Sequence, residues 1–246
     1  MDSGYYAACT ALAARTQALD TIANNLANSN TAGYRAEHNV FSAVLARTQG
    51  GSSSNLSNAI NNYGIVSGAS LDLSQGALQK TGNPLDLAIQ GTAFFAVQTP
   101  NGVMYTRNGS FQLSSTGQLI TSAGDPVMGD KGTITMLPGS SSISADGTIS
   151  SNGAIAGKIR LVDFPAGTQL QSEGSSYYSA PAGVETPATD SKVQQGTLEN
   201  SNVNPILSMV ELITAQRSAE SMQRALSMFS SEMDKTATQE LPKISQ

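Results

Sequence analysis

Apolar residues recur three and four positions apart in the C-terminal part of the chain, from about residue 202 onward. This spacing follows one face of an α-helix that packs lengthwise on another helix. Asn204 is a suitable N-cap, and Pro205 suits the first helical position, where a backbone N–H has no partner within the helix. The pattern predicts a long C-terminal helix whose apolar stripe consists of Leu212, Ala215, Ala219, Met222, Leu226, Phe229 and Met233.

A fainter apolar pattern marks the N-terminal end. Tyr5, Leu12, Leu19 and Leu26 stand seven residues apart, which predicts a helix over about residues 3–28. Turn-forming residues follow it (NSNTAG), and Gly33 among them is free to adopt a positive φ. Two terminal helices that each carry an apolar stripe are expected to pair as a coiled-coil-like stem.

Between the two helices, short apolar runs alternate with turn-forming dipeptides. Residues 85–89 (LDLAI), 94–97 (FFAV) and 158–164 (KIRLVDF) are such runs, and Asn-Gly, Asp-Gly and Pro-Gly pairs separate them. The pattern of residues 158–164 predicts one amphipathic strand. Many short strands with hairpin turns predict an all-β sandwich or distorted barrel. Its expected core residues are Leu85, Leu87, Ile89, Phe94, Phe95, Val97, Tyr105, Phe111, Leu119, Ile159 and Leu161.

These patterns together predict an α+β fold in four segments. Residues 1–47 form an N-terminal helix and a bend, and residues 48–80, which include a Gly- and Ser-rich run, form an extended linker or arm. Residues 81–190 form the central β domain. Residues 191–246 return the chain to the stem and form the C-terminal helix.

Composition excludes several classes of protein. The 246 residues carry a net charge of −5, only 13% of them are charged, and Lys and Arg are not clustered, so nucleic acid is not an expected partner. No apolar run approaches the ~20 residues that a membrane span needs, so no membrane insertion is expected. The N-terminus also lacks the continuous apolar segment of a cleavable signal peptide.

Candidate chemistry is equally sparse. Cys9 and His38 are each the single residue of their type, so we expect no disulfide within the chain and no zinc or copper site. The chain has no nucleophile elbow, no phosphate-binding loop and no dinucleotide fingerprint. The sequence therefore predicts neither an enzyme nor a cofactor. Helices at both ends of a β-rich centre can pair with each other and with those of neighbouring copies, which favours a protein whose task is assembly.

Three blocks of sequence strongly resemble bacterial flagellar axial proteins of the rod and hook. The first is residues 22–35 (IANNLANSNTAGYR), the second residues 81–91 (TGNPLDLAIQG) with YTRNG at 105–109, and the third residues 195–205 (QGTLENSNVNP) with MVELI at 209–213. The blocks stand in the order of the family and cover most of the chain. The length and the single modest β region are most similar to a proximal rod protein of the type that adjoins the distal rod.

The resemblance implies a structural subunit of the basal-body rod, which polymerises through its terminal helices into a tubular shaft that transmits torque and conducts exported subunits. The implied partners are other copies of the chain, neighbouring rod proteins and, during export, the flagellar secretion apparatus. The implied location is the periplasmic rod of the basal body, reached without a cleaved signal peptide.

Assembly residues are expected on both terminal helices. Those of the N-terminal helix and bend are Tyr5, Leu12, Leu19, Ile22, Asn24, Asn25, Leu26, Asn28, Asn30, Gly33 and Tyr34. Those of the C-terminal helix are Asn202, Asn204, Pro205, Met209, Leu212, Ile213, Ala219, Met222, Leu226, Phe229 and Met233. For the four asparagines of the bend, local capping and turn formation is an equally good interpretation.

Two alternatives stay open at this point. A distal rod or hook subunit of the same family would share these motifs, although a hook protein usually carries more β sequence. A secreted β-rich adhesin or binding module with a helical stalk is the alternative from another class. It would not require the two terminal helices to pair, so the proximity of the two ends discriminates between an adhesin and a rod subunit.

Overall fold

The computed structural model describes residues 2–41, 66–137, 139, 141–174 and 176–239. Within these, side chains are not described at residues 2–7, 39–41, 66–69, 229 and 232–239. Of the predicted linker, residues 48–65 therefore lie outside the described part of the chain. The side chains of Tyr5, Phe229 and Met233 also lie outside it.

One long helix precedes all the strands in the sequence, and a second follows them. Helix α1 covers Asp2–Ala27 and helix α2 covers Pro205–Gln239. The Ala-rich composition of α1 favours a helix, because alanine loses no side-chain entropy there. Gly33 follows α1 with φ +70°, the conformation predicted for the turn. The start of α2 at Pro205 is likewise as predicted from the cap signal.

Nineteen strands lie among the described residues between the helices. In chain order, β1 to β19, they are Glu37–Phe41, Val66–Leu71, Leu78–Lys80, Leu87–Gln90, Phe94–Thr99, Gly102–Thr106, Phe111–Leu113, Leu119–Thr121, Met128–Gly129, Gly132–Thr133, Ser141–Ile143, Thr148–Ser151, Ala154–Lys158, Leu161–Asp163, Gln171–Ser172, Tyr177–Ser179, Thr186–Pro187, Lys192–Gln195 and Thr197–Glu199. The prediction of an α+β fold with a central β region is confirmed.

The largest sheet has six antiparallel strands in the order β15-β16-β6-β5-β14-β17. Strands β11, β12 and β13 form a second, antiparallel sheet. The remaining strands form two-stranded pairs, among them β4 with β18 and β3 with β19. Because β18 and β19 come from the C-terminal return segment, the last strands of the chain complete pairs that the first strands of the centre begin.

Most of the predicted core residues are buried where the sequence placed them. One cluster contains Leu87, Ile89, Phe95, Val97, Phe111, Leu119 and Ile159, and a second contains Phe94 and Tyr105. Leu85 and Leu161 are only half-buried and pack against the first cluster. Edge-to-face packing of Phe95 on Phe111, with ring centroids 5.1 Å apart, joins β5 to β7.

The prediction of one amphipathic strand over residues 158–164 is wrong. Strand β13 ends at Lys158, and β14 begins at Leu161 in a different sheet. Between them, Ile159 forms a bridge to Gly129, and the Arg160 N–H donates to the Met128 carbonyl at 3.0 Å. Ile159 and Leu161 both pack with the first core cluster. The alternation of side chains therefore continues through the break, so the sequence pattern does not reveal the change of sheet.

The chain divides into two compact units. Unit 1 comprises Met1–Asn24, His38–Ala69 and Pro205–Gln246, and unit 2 comprises Asn25–Glu37 and Ser70–Asn204. Both core clusters lie in unit 2. Neither helix, as far as its residues are described, is long and apolar enough to cross a membrane. The described side chains also form no group of three or more potential metal ligands.

Candidate assembly interface

Helix α2 has a covered face along residues 208–226 and, near its start, an exposed apolar face on the opposite side. Ser208 and Ala219 are buried, and Leu212, Met222 and Leu226 on the same face are half-buried. At 100° per residue, the opposite face carries a second stripe, which we call the exposed stripe. It consists of Ile206, Met209, Val210 and Ile213, which are 77%, 54%, 58% and 48% exposed. The predicted interface residues Met209 and Ile213 thus lie on a different face from the predicted apolar stripe.

Polar residues end the exposed stripe. Further along the same face, Arg217, Glu220 and Arg224 are all exposed. The exposed stripe therefore covers the first turns of α2, and Met228, 67% exposed, is a separate apolar residue further along this face. Sequence reasoning missed Ile206 and Val210, although their spacing of four residues, with Ile213 three further on, is a helical signal.

Helix α1 has its apolar positions half-covered. Leu12, Leu19 and Ile22 are half-buried. Ala14, whose small side chain allows another backbone to approach closely, is buried. Asn24 is exposed. All five residues belong to unit 1, together with α2.

The bend after α1 is held by Asn25 and Tyr34. The Asn25 Oδ1 atom accepts hydrogen bonds from the Tyr34 hydroxyl at 3.0 Å and from the Glu37 N–H at 2.9 Å, and its Nδ2 donates to the Glu37 carbonyl at 2.8 Å. Burial raises the pKa of Tyr34 to about 12. Asn25 therefore fixes the path of the chain from the last turn of α1 to β1. Leu26, in the same turn of α1, is half-buried.

Two other positions of the bend are also used within the chain. The Thr31 hydroxyl donates to Asn28 Oδ1 at 3.2 Å, which is local turn formation. Gly33 lies against the backbone of Arg107, and a Cβ atom at Gly33 would come within 2.3 Å of the Arg107 carbonyl carbon. Asn30, in contrast, is exposed.

Asn202, three residues ahead of α2, bonds to the backbone through its side-chain amide as Asn25 does near the end of α1. Its Oδ1 accepts from the Ala36 N–H at 2.8 Å, and its Nδ2 donates to the Asp72 carbonyl at 2.9 Å. Asn202 therefore ties the segment after α1 to the segment after β2, both within unit 2. Asn204 and Pro205, which follow it, are exposed.

Sequence reasoning missed a buried charge cluster beside this bend. Arg35 Nη2 lies 2.6 Å from Glu199 Oε1, and Arg107 Nη1 lies 3.2 Å from Glu199 Oε2. Burial lowers the pKa of Arg107 to about 10, although Glu199 opposes this shift. Arg35, Arg107 and Glu199 all stand in the family-like blocks, but they are far apart in sequence and nothing in a single chain indicates that they meet.

Comparison with known proteins agrees with this architecture. The family described as "Flagella basal body rod protein" matches residues 6–35, which cover most of α1 and the bend. The "Flagellar hook protein FlgE/F/G D1 domain" matches residues 88–153 of the β region. The "Flagellar basal body rod FlgEFG protein C-terminal" family matches residues 194–240, which include α2.

Full-length relatives decide the family. A flagellar basal-body rod protein FlgF of Mesorhizobium japonicum is 36% identical over 95% of this chain and 96% of its own length. The FlgF protein of Caulobacter vibrioides is 34% identical over 99% of this chain and all of its own length. The chain belongs to the flagellar basal-body rod proteins. It is a structural subunit of the basal body and not an enzyme, which also disfavours the adhesin alternative.

A related rod protein of a second type is also similar. The FlgG protein of Buchnera aphidicola subsp. Acyrthosiphon pisum is 32% identical to this rod protein over 96% of both chains. The similarity therefore extends over the helices and the β region in both types of relative.

Proposed function

We propose that this rod protein polymerises through its terminal helices into the tubular shaft of the basal body, with other copies of itself and with neighbouring rod proteins. The exposed stripe of α2 carries this proposal. Four large apolar side chains on one short face, opposite a covered face, are favourable only when another surface removes them from water. A head-to-tail contact whose rotation does not close into a ring builds a tube from such subunits.

The covered faces of the two helices support a pairing within each subunit. Leu12, Leu19 and Ile22 of α1 and Leu212, Met222 and Leu226 of α2 are all half-buried in the same compact unit. We therefore propose that α1 and α2 pair as a coiled-coil-like stem through these residues. The exposed stripe then remains for the neighbouring subunit.

The position in the rod is also a proposal. The FlgF relatives above are 34% and 36% identical to the chain, and the FlgG relative is 32% identical. The alignment extends over 268 residues with FlgG and over 251 with the FlgF of Caulobacter vibrioides, against the 246 of this chain, so the alignment with FlgG includes more gaps. These differences favour a proximal rod subunit that adjoins the distal rod over a distal rod or hook subunit.

The export route follows from the same family. We propose that the chain passes through the flagellar secretion apparatus without cleavage of a signal peptide and joins the rod in the periplasm. The support is the family itself, since residues 6–35, which include most of helix α1, match the rod-protein family whose members this export route is expected to carry.

The test replaces two residues of the exposed stripe. Val210→Asp/Ile213→Asp introduces charges on a face that assembly must bury, so we expect rods to be absent and motility to be lost in a strain that carries only the variant. The matched control is Arg217→Ala/Glu220→Ala, on the same face but beyond the apolar stripe, which should assemble normally. Basal bodies isolated from each strain give the measurement.

The same purified variants separate a failed interface from a failed fold. Val210 and Ile213 lie in unit 1, so the urea midpoint of unit 2 should be unchanged by either double variant. Normal rods in the Asp variant would contradict assembly through this face. Loss of rods in the control as well would show that the face is sensitive to any change, which also counts against the apolar stripe.

A further inference from the structure

Glu199 is the meeting point of two buried guanidinium groups. One carboxylate oxygen lies 2.6 Å from Arg35 Nη2 and the other 3.2 Å from Arg107 Nη1. The side chains of Arg35, Arg107 and Glu199 are 0%, 1% and 0% exposed. The first carboxylate oxygen also accepts the Gly76 N–H at 2.8 Å. The cluster thus contains two cations and one anion that are almost completely buried.

The two arginines depend on Glu199 to different degrees. Arg107 has further acceptors, because its Nη2 donates to the Gly91 carbonyl at 2.6 Å and its guanidinium lies 4.9 Å from the centre of the Phe94 ring. For Arg35, Glu199 is the only side-chain acceptor among the described residues, and the Arg35 Nε and Nη1 atoms have no hydrogen-bond partner there. Burial of a cation without a counter-charge is strongly unfavourable.

The three charged residues come from distant parts of the chain. Arg35 follows the bend after α1, Arg107 follows β6, and Glu199 ends β19, a few residues ahead of α2. The backbone of Glu199 adds a further link, since its carbonyl accepts the Gly33 N–H at 2.8 Å. The next residue, Asn200, donates its N–H to the Ala77 carbonyl at 2.9 Å. Glu199 therefore connects the segment after α1, the segment ahead of β3 and the segment after β6.

We propose that Glu199 is the closing residue of unit 2. Arg35 and Arg107 enter the interior only when the C-terminal return segment, residues 192–204, brings its carboxylate between them. Without that carboxylate the two cations remain hydrated, and residues 33–36, 76–77 and 199–202, which we call the junction, stay open. Folding of unit 2 is then complete only when residues 192–204 are in place. This proposal does not rest on the proposed polymerisation.

Hydrogen exchange on the full-length chain tests the proposal. Glu199→Gln keeps the shape of the side chain but removes its charge, so the amides of the junction should exchange at least about tenfold faster, and together. The amides of Leu119 and Val127, which donate within the β core, should change much less. The matched control is Glu185→Gln, since Glu185 pairs with Arg160 at 3.2 Å while 32% exposed, and it should leave the junction unchanged.

A second variant distinguishes charge from shape. Arg35→Met in the Glu199→Gln background removes the cation that depends most on Glu199, so it should recover at least about threefold of the lost protection. If Glu199→Gln alone does not fold, the variant Arg35→Met/Arg107→Met/Glu199→Leu should fold, because it leaves no buried charge. Unchanged junction exchange, equal acceleration in the junction and the β core, absence of rescue, or unfolding of both Glu199 variants would each overturn the proposal.

Discussion

Gly33 is the residue on which the bend depends most directly. Its φ of +70° is unfavourable for any residue with a Cβ atom, and a Cβ there would overlap the backbone at Arg107 and Asn108, each 2.3 Å away. Backbone atoms cannot move aside as the end of a flexible side chain can. We therefore expect Gly33→Ala to lower the free energy of unfolding of unit 2 by about 3 kcal/mol, measured by urea denaturation.

The control for this variant is Gly183→Ala. Gly183 has a similar φ of +80°, but no atom lies within 4 Å of the position that its Cβ would occupy. The backbone strain alone should lower the free energy of unfolding by about 1 kcal/mol. Equal urea midpoints for the two variants would contradict the role of close packing at Gly33.

Single residues also mark the limit of sequence reasoning. The turn at Gly33 and the core position of Phe95 were predictable, because turn formers and alternation are local signals. The partners of Asn25 were not, since no local pattern indicates that its amide bonds to Tyr34 and Glu37. The contact between Arg35 and Glu199 is further still from any local signal, because the two residues stand 164 positions apart and only the folded chain brings them together.

At the scale of elements, the helices were predictable and the sheets were not. The apolar stripe and the turn formers give the bounds of α1, and the cap signal gives the start of α2, each to within a residue or so. A strand of three or four residues carries too little pattern to reveal its partner. The break between β13 and β14 and the pairing of β4 with β18 both depend on contacts that are distant in sequence.

Helix α2 leads to a prediction about its covered face. Leu226 is half-buried on that face, and Phe229 continues the apolar spacing in the sequence. Leu226→Ser/Phe229→Ser removes apolar area that the helix needs to pack, so we expect rods to be absent and motility to be lost. Electron microscopy of isolated basal bodies provides the measurement.

Its control is Ser227→Ala, at an exposed position of the same turn, which should support normal motility. Neither substitution touches residues 25–37 or 70–204, so the urea midpoint of unit 2 should stay at the wild-type value in both variants. Motile cells with the double Ser variant would show that this face is not needed for assembly.

At the scale of the whole molecule, buried tyrosines make unit 2 sensitive to alkaline pH. Burial raises the pKa of Tyr34 and of Tyr177 from 10.0 to about 12, and it raises the pKa of Tyr105 and Tyr178 as well. The folded state thus favours the neutral phenols. Their contribution to stability is complete below pH 10, and it is lost as the pH rises above 10 through the raised folded-state pKa values.

Arg107 acts in the opposite direction, because its folded-state pKa of about 10 lies below its ordinary value of 12.5 and folding gains stability as the pH rises between them. One such group does not offset four tyrosines, so the urea midpoint of the full-length chain should fall steadily from about pH 10 to about pH 11.5. Tyr34→Phe removes one of the four phenols. It should lower the midpoint at neutral pH, because the hydrogen bond to Asn25 is lost, yet give a shallower decrease with pH. A midpoint independent of pH, or an equally steep decrease in the Phe variant, would contradict this origin of the alkaline sensitivity.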